Sequence, residues 1–177
     1  MRRIAFLLLA AVALVGVIAA AEAPTTSRSA DDAAAAIDGG KLPAGYRDWR
    51  FISVAHEEGD LHSFAAVLGN DIAIQAYRQK MLPFPDGTII AALHYRHAPS
   101  EQNNKVFGRE QSFVAGDPTN VQFMVKDSRK YASTGGWGFF HFFNDGKPLT
   151  DKAKIQACFD CHALNPDRDL VFTRYAP

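Results

Sequence analysis

Sulfur is scarce in this sequence: 177 residues include two cysteines and three methionines, Met1 among them. The two thiols, Cys158 and Cys161, lie so close together that a bond between them closes only a short ring and stabilises little. An excess of either charge is also missing, since nineteen Lys and Arg face nineteen Asp and Glu. No basic patch stands out, which removes nucleic acid from the expected partners. Long helical stretches are lacking too, because thirteen glycines and nine prolines interrupt the chain too often for a helical bundle. No repeat appears at the periods of a solenoid or propeller.

What is present begins at the N-terminus. Arg2 and Arg3 precede the apolar run "IAFLLLAAVALVGVIAA", and small residues follow it. This is the order of a secretory signal peptide, with cleavage expected after Ala21 in an Ala19-x-Ala21 site; Ala23 is a second position, and an uncleaved membrane anchor is the competing reading. The expected location is therefore periplasmic or secreted. Loss of residues 1–21 leaves seventeen basic against nineteen acidic residues and about 155 in all, enough for one domain with a real core. Residues 22–40, "EAPTTSRSADDAAAAIDGG" with its flanks, are poor in large apolar side chains and read as a flexible linker or weakly packed helix outside the core. The domain is expected over 41–177.

Within it, "WRFISVAH", "HSFAAVLG", "GTIIAALHYRH", "NVQFMVKD", "WGFFHFF" and "DLVFTRY" are short, aromatic or β-branched, and bounded by turn residues, so they read as strands. Asn70 caps a helix carrying Ala73, Tyr77 and Met81 at helical spacing, and Pro83 stops it. A second helix is expected from Thr150 or Asp151 through "KAKIQACFDCH". The fold class is α+β, a predominantly antiparallel sheet with a few short helices in a single haem-binding domain.

That last attribute rests on Cys158-Phe159-Asp160-Cys161-His162, a C-x-x-C-H string of the kind that attaches c-type haem. On one helical turn, two thiols three positions apart can each reach a haem vinyl group, while His162 reaches the iron as proximal ligand. One covalent haem c is expected. A Cys158–Cys161 disulfide, a thioredoxin-type redox pair and a zinc site compete, but the redox pair belongs at the start of a helix and zinc lacks a fourth ligand. An electron carrier with methionine as sixth ligand places its motif early; here no methionine follows His162, Met81 and Met124 precede it, and Met124 reads as a packing residue.

The succession "YRDWRFISV", "FPDGTII", "VQFMVKDSRKYASTGGWGFFHF", "CFDCH" and "DLVFTRYAP" resembles the cytochrome P-460 family, which includes the β-sheet cytochromes c-prime, from about Tyr46 to Pro177. The resemblance implies one covalent haem c, a proximal histidine and usually a homodimer. It also implies a division between members that oxidise hydroxylamine or act on nitrogen oxides and relatives whose apolar pockets bind nitric oxide or carbon monoxide. Members that oxidise hydroxylamine carry a lysine, cross-linked to the haem, on the strand after an F-x-D-G-T turn. Here Ala92 stands at that place, so no such cross-link is expected, and neither Lys80 nor Lys105 is an obvious substitute.

Alternation along 88–97 puts Thr88, Ile90, Ala92, His94 and Arg96 on one face. His94 is thus the candidate distal residue, as sixth ligand, proton shuttle or hydrogen-bond donor; the competing reading leaves it half-buried past the haem rim. His56, His62 and His97 read as solvated. In "GWGFFHFF" either His141 or the pair Phe140 and Phe142 faces the core. Arg109, Arg129 and Arg174 could reach haem propionates, although surface roles are commoner for such residues. Two functions follow: a protein that binds a small diatomic or nitrogen-oxide ligand or exchanges electrons with an external donor or acceptor, and an enzyme that oxidises hydroxylamine or a related compound. The missing lysine favours the first. A disulfide-bearing β domain without haem is the third reading.

Overall fold

The computed structural model describes residues 25–59 and 61–176. The expected signal peptide and its cleavage site lie outside the described residues. No helix among the described residues is long and apolar enough to cross a membrane.

Five strands, β1 (Arg50–Glu57), β2 (Ser63–Gly69), β3 (Ile89–Pro99), β4 (Phe113–Lys126) and β5 (Trp137–Phe143), form one antiparallel sheet in sequence order. Among the described residues four α-helices accompany it: α1 (Thr25–Asp38), α2 (Asp71–Gln79), α3 (Glu101–Phe107) and α4 (Lys152–His162). The α+β class is as the sequence predicts.

The two-residue period of the strands divides the molecule into two cores. On one face Ala91 and Leu93 of β3, Val121, Phe123 and Val125 of β4 and Phe142 of β5 pack with Ile37 of α1 and with Tyr46. On the other, Val67, Ile90, Met124 and Phe139 pack with Ala73, Ile74 and Ala76 of α2 and with Phe84, Trp137 and Val171.

Four expectations differ from the structure. Residues 25–38, read as a linker or a weakly packed helix outside the core, form helix α1 and join the core: Ile37 is fully buried, and the Asp38 carboxylate accepts hydrogen bonds from Lys130 and Tyr131. Four successive alanines favour the helix, and one large side chain suffices to dock it, so sparse apolar content was a poor guide. The "DLVFTRY" segment is not a strand. Asp169 and Leu170 take left-handed φ values of 50° and 65°, which no strand accommodates, and the chain continues as irregular backbone tied to β1 through the Ala176 amide and the Ile52 carbonyl. Residues Glu101–Phe107, where the sequence pattern predicts no element, form α3, capped by the Ser100 hydroxyl. β4 also begins earlier than Asn120. Its first half carries Gly116 and Pro118, which hide a strand from sequence reading, and the β3–β4 register shifts beside Tyr95, opposite Pro118.

Candidate functional site

Helix α4 exists because the Asp151 side chain accepts from the Ala153 and Lys154 amides at 3.0 and 3.3 Å, satisfying the first free donors. Ile155, Cys158, Phe159 and His162 then fall at i, i+3, i+4 and i+7, one face of the helix. That face is turned to β5, with the Phe139 ring 6.1 Å from Phe159 and 5.0 Å from His162. Yet α4 has no buried residue. Its inner face looks into a cavity of about 720 Å³ rather than onto packed side chains.

Cys158, Cys161 and His162 all line this cavity. Both thiols are free, and burial raises the pKa of Cys158. His162 is held by the segment that follows its helix: its Nδ1 donates to the Leu170 carbonyl at 2.7 Å, and Phe172 packs on it with ring centroids 5.0 Å apart. Burial lowers the His162 pKa and the Leu170 contact opposes it without reversing it, so the ring is neutral at pH 7. The Leu170 bond fixes the tautomer with its proton on Nδ1 and leaves Nε2 a free lone pair, the state of a metal-ligating imidazole.

The sheet supplies the opposite wall as three rows of facing residues. Ile90, Met124 and Phe139 form an apolar row; Val67, Ala92, Gln122 and His141 form the next; Ala65, His94, Asn120 and Phe143 form the third. From these rows Ile90, Met124 and Phe139, then Val67, Ala92 and Gln122, then Ala65, His94 and Asn120 line the cavity. The wall thus grades from apolar, where Phe139 meets His162, to polar, where Arg96, Glu57, His62 and His97 take over. No lysine lines the cavity among the described residues.

The expected face of β3 is therefore present: Ile90, Ala92, His94 and Arg96 all line the cavity, whereas Thr88 lies before the strand and donates to the Pro85 carbonyl at 2.6 Å. His94 is neutral at pH 7, burial lowering its pKa more than Glu57 raises it. His141 shares the sheet face of His94, and its pKa is lowered by burial and then by His94 itself. Phe140 and Phe142, the pair read from sequence, pack in the other core, while His141 and Phe139 share the sheet face of the cavity; Phe139 packs on the C-x-x-C-H helix, and Phe140 also borders the cavity.

His56, His62 and His97, read as separate solvated residues, form one cluster. The His97 ring stacks on His56 with centroids 4.5 Å apart, and its Nδ1 lies 3.1 Å from His62 Nε2. Met124 is buried at the cavity wall and Met81 is exposed. Arg109 bonds Gln111 instead of facing the cavity. The sequence reading missed Asn120 and Gln122, although polar residues alternating with the apolar Val121 and Phe123 were a readable signal for a strand face with something polar to meet. It also missed the Leu170 carbonyl, which no side-chain pattern announces.

The residues suit a haem: two thiols three positions apart on a helix, a neutral imidazole with a free Nε2, and a largely apolar cavity of suitable size. They suit zinc poorly, because no group of three or more His, Cys, Asp or Glu is arranged to hold a metal ion among the described residues. The family model described as Cytochrome P460 matches residues 43–173, most of the chain. No curated protein matches it.

Proposed function

The chain belongs to the cytochrome P460 family, a family of haem cytochromes, and from that premise we propose that it is an exported mono-haem c-type cytochrome that binds a small ligand such as nitric oxide, transfers electrons, or does both. Cys158 and Cys161 would hold the porphyrin through thioethers, and His162 would bind its iron through Nε2. Bound there, the haem supplies one-electron redox chemistry and a coordination position for a small molecule. The chain's own side chains do the rest: Val67, Ile90, Ala92 and Met124 exclude water from the apolar end, and the Leu170 carbonyl holds the His162 ring in one orientation.

The observation that carries the ligand-binding reading is Ala92. It faces the cavity at the place where the family resemblance puts the cross-linking lysine, and no lysine lines that wall among the described residues. An apolar wall favours a neutral diatomic ligand over water or an ion. The test is titration of the ferrous protein with nitric oxide under anaerobic conditions, followed by absorption. Saturable binding without turnover supports the reading; sustained consumption of hydroxylamine with an electron acceptor replaces it.

One observation favours that second reading, a haem oxidoreductase for hydroxylamine or a related nitrogen compound. His94, Asn120 and Gln122 place a neutral imidazole and two amides within the same cavity, groups able to receive a proton or orient a polar substrate. External export, a homodimer and a separate electron donor or acceptor belong to the proposal on the strength of the leader sequence and the family resemblance.

A further inference from the structure

The loop after the C-x-x-C-H helix has a buried electrostatic anchor. Lys126, at the end of β4 and 5 % exposed, lies 2.8 and 2.9 Å from the two carboxylate oxygens of Asp169. Its ammonium also donates to the Gly135 carbonyl at 3.1 Å and lies 5.0 Å from the centre of the Trp137 ring. Asp169 accepts a further bond, 2.8 Å from the Phe84 amide. The pair is thus joined to three separate parts of the fold: the end of the sheet, the turn before β5 and the segment that follows α2.

Asp169 is the residue before Leu170, and both have positive φ. Two successive non-glycine residues in the left-handed region persist only where the surroundings over-determine them. The backbone supplies part of that constraint, since the Asp169 and Leu170 amides donate to the Pro166 and Asn165 carbonyls at 3.1 and 3.0 Å. The ion pair supplies the tie to the sheet. What this conformation achieves is local and specific: it aims the Leu170 carbonyl at His162 Nδ1, 2.7 Å away.

We propose that Lys126 and Asp169 are positioning residues for His162, the ion pair fixing the Leu170 carbonyl so that the imidazole keeps one tautomer, one ring orientation and a raised basicity toward iron. The inference rests on the reading of His162 as the axial ligand. A metal-bound histidine takes its ligand strength from the acceptor on its other nitrogen, and loosening that acceptor weakens the bond to the metal. A buried ion pair is weak support for stability as such, whereas fixing one geometry is a role such pairs can serve.

The test uses the haem-loaded protein, as wild type, Asp169→Asn and the double variant Lys126→Met/Asp169→Asn. The double variant removes both charges together and so avoids a stranded buried ion. The readouts are the iron–histidine stretching band of the ferrous protein and the reduction potential, which can be compared between variants whether or not a sixth ligand is bound. The expected result is a shift of the band to lower frequency and of the potential to more positive values in both variants, with an unchanged pyridine haemochrome. Unchanged band and potential in folded, haem-loaded variants overturn the proposal. So does failure of both variants to accumulate as folded protein, because the pair is then needed for the fold rather than for placing His162. A His162→Gly control separates the two levels: persistence of the wild-type band there means that His162 is not the ligand, while its loss together with unresponsive anchor variants sinks the anchor alone.

Discussion

Asn70 joins the cap of α2 to the start of the strand that forms the cavity wall, and its replacement by alanine has a cost that can be worked out. Its Oδ1 accepts from the Ala73 amide at 3.0 Å, the bond of an N-cap, and from the Ile89 amide at 3.2 Å. Its Nδ2 donates to the Gly87 carbonyl at 2.7 Å. Loss of an N-cap costs about 1 kcal/mol. Ile89 is fully buried, so its orphaned amide costs about 1–3 kcal/mol more. Gly87 is half-buried and water can replace the lost donor, so its carbonyl adds little. The expected destabilisation of Asn70→Ala is therefore about 2–4 kcal/mol. Asn70→Ser, which keeps an N-cap hydroxyl but does not reach Ile89, should recover about 1 kcal/mol of that loss. Equilibrium urea unfolding of the haem-loaded proteins, with the slope compared between variants, measures both. A cost below about 1 kcal/mol for Asn70→Ala would show that the side chain does not bridge helix and strand as described.

Further outcomes follow from the site. Burial lowers the pKa of His94 and His141 below that of the unfolded chain, so the unfolded state binds more protons in mild acid; stability should be intact above about pH 6.5 and fall as the pH drops below it. The His94→Gln/His141→Gln protein should have a flatter acid limb in pH-dependent urea unfolding, and an identical limb would show that these rings do not govern it. Ala92→Lys places an amine on the cavity wall, and turnover under oxidising conditions should then modify the haem, seen as a distorted and red-shifted haemochrome; an unmodified haem would mean that Ala92 does not occupy the cross-linking register. His162→Ala should incorporate haem poorly and change the spectrum of whatever is loaded, an unchanged spectrum counting against the axial role.

Much of the fold was legible because the strands obey a simple period. "WGFFHFF" coincides with β5, and the face of β3 bearing Ala92 and His94 followed from alternation alone. Helix α2 announced itself through Asn70 and ended at Gln79, before Pro83. What escaped was structure whose cause is tertiary. Helix α1 was allowed for, but its docking was not, since that depends on one isoleucine and on Asp38 meeting Lys130 and Tyr131 across the sequence. The segment after Asp169 has strand-like side chains but a backbone bent by the Lys126 contact and the bonds back to Asn165 and Pro166, partners that no local window contains. The same holds for the site. The motif gave Cys158, Cys161 and His162, whereas the gathering of His56, His62 and His97 depends on pairing β1, β2 and β3 in register.

The most direct measurement is the absorption spectrum of the protein produced in a periplasm competent for cytochrome c maturation, recorded as isolated, reduced, and denatured in alkaline pyridine. Two thioethers at Cys158 and Cys161 with no lysine bond predict haem that acidified organic solvent does not extract, an ordinary c-type haemochrome, and a native spectrum that shifts on adding nitric oxide. Extractable haem, or a distorted and red-shifted haemochrome, would contradict that account, the first by removing the covalent attachment and the second by showing that a lysine reaches the macrocycle.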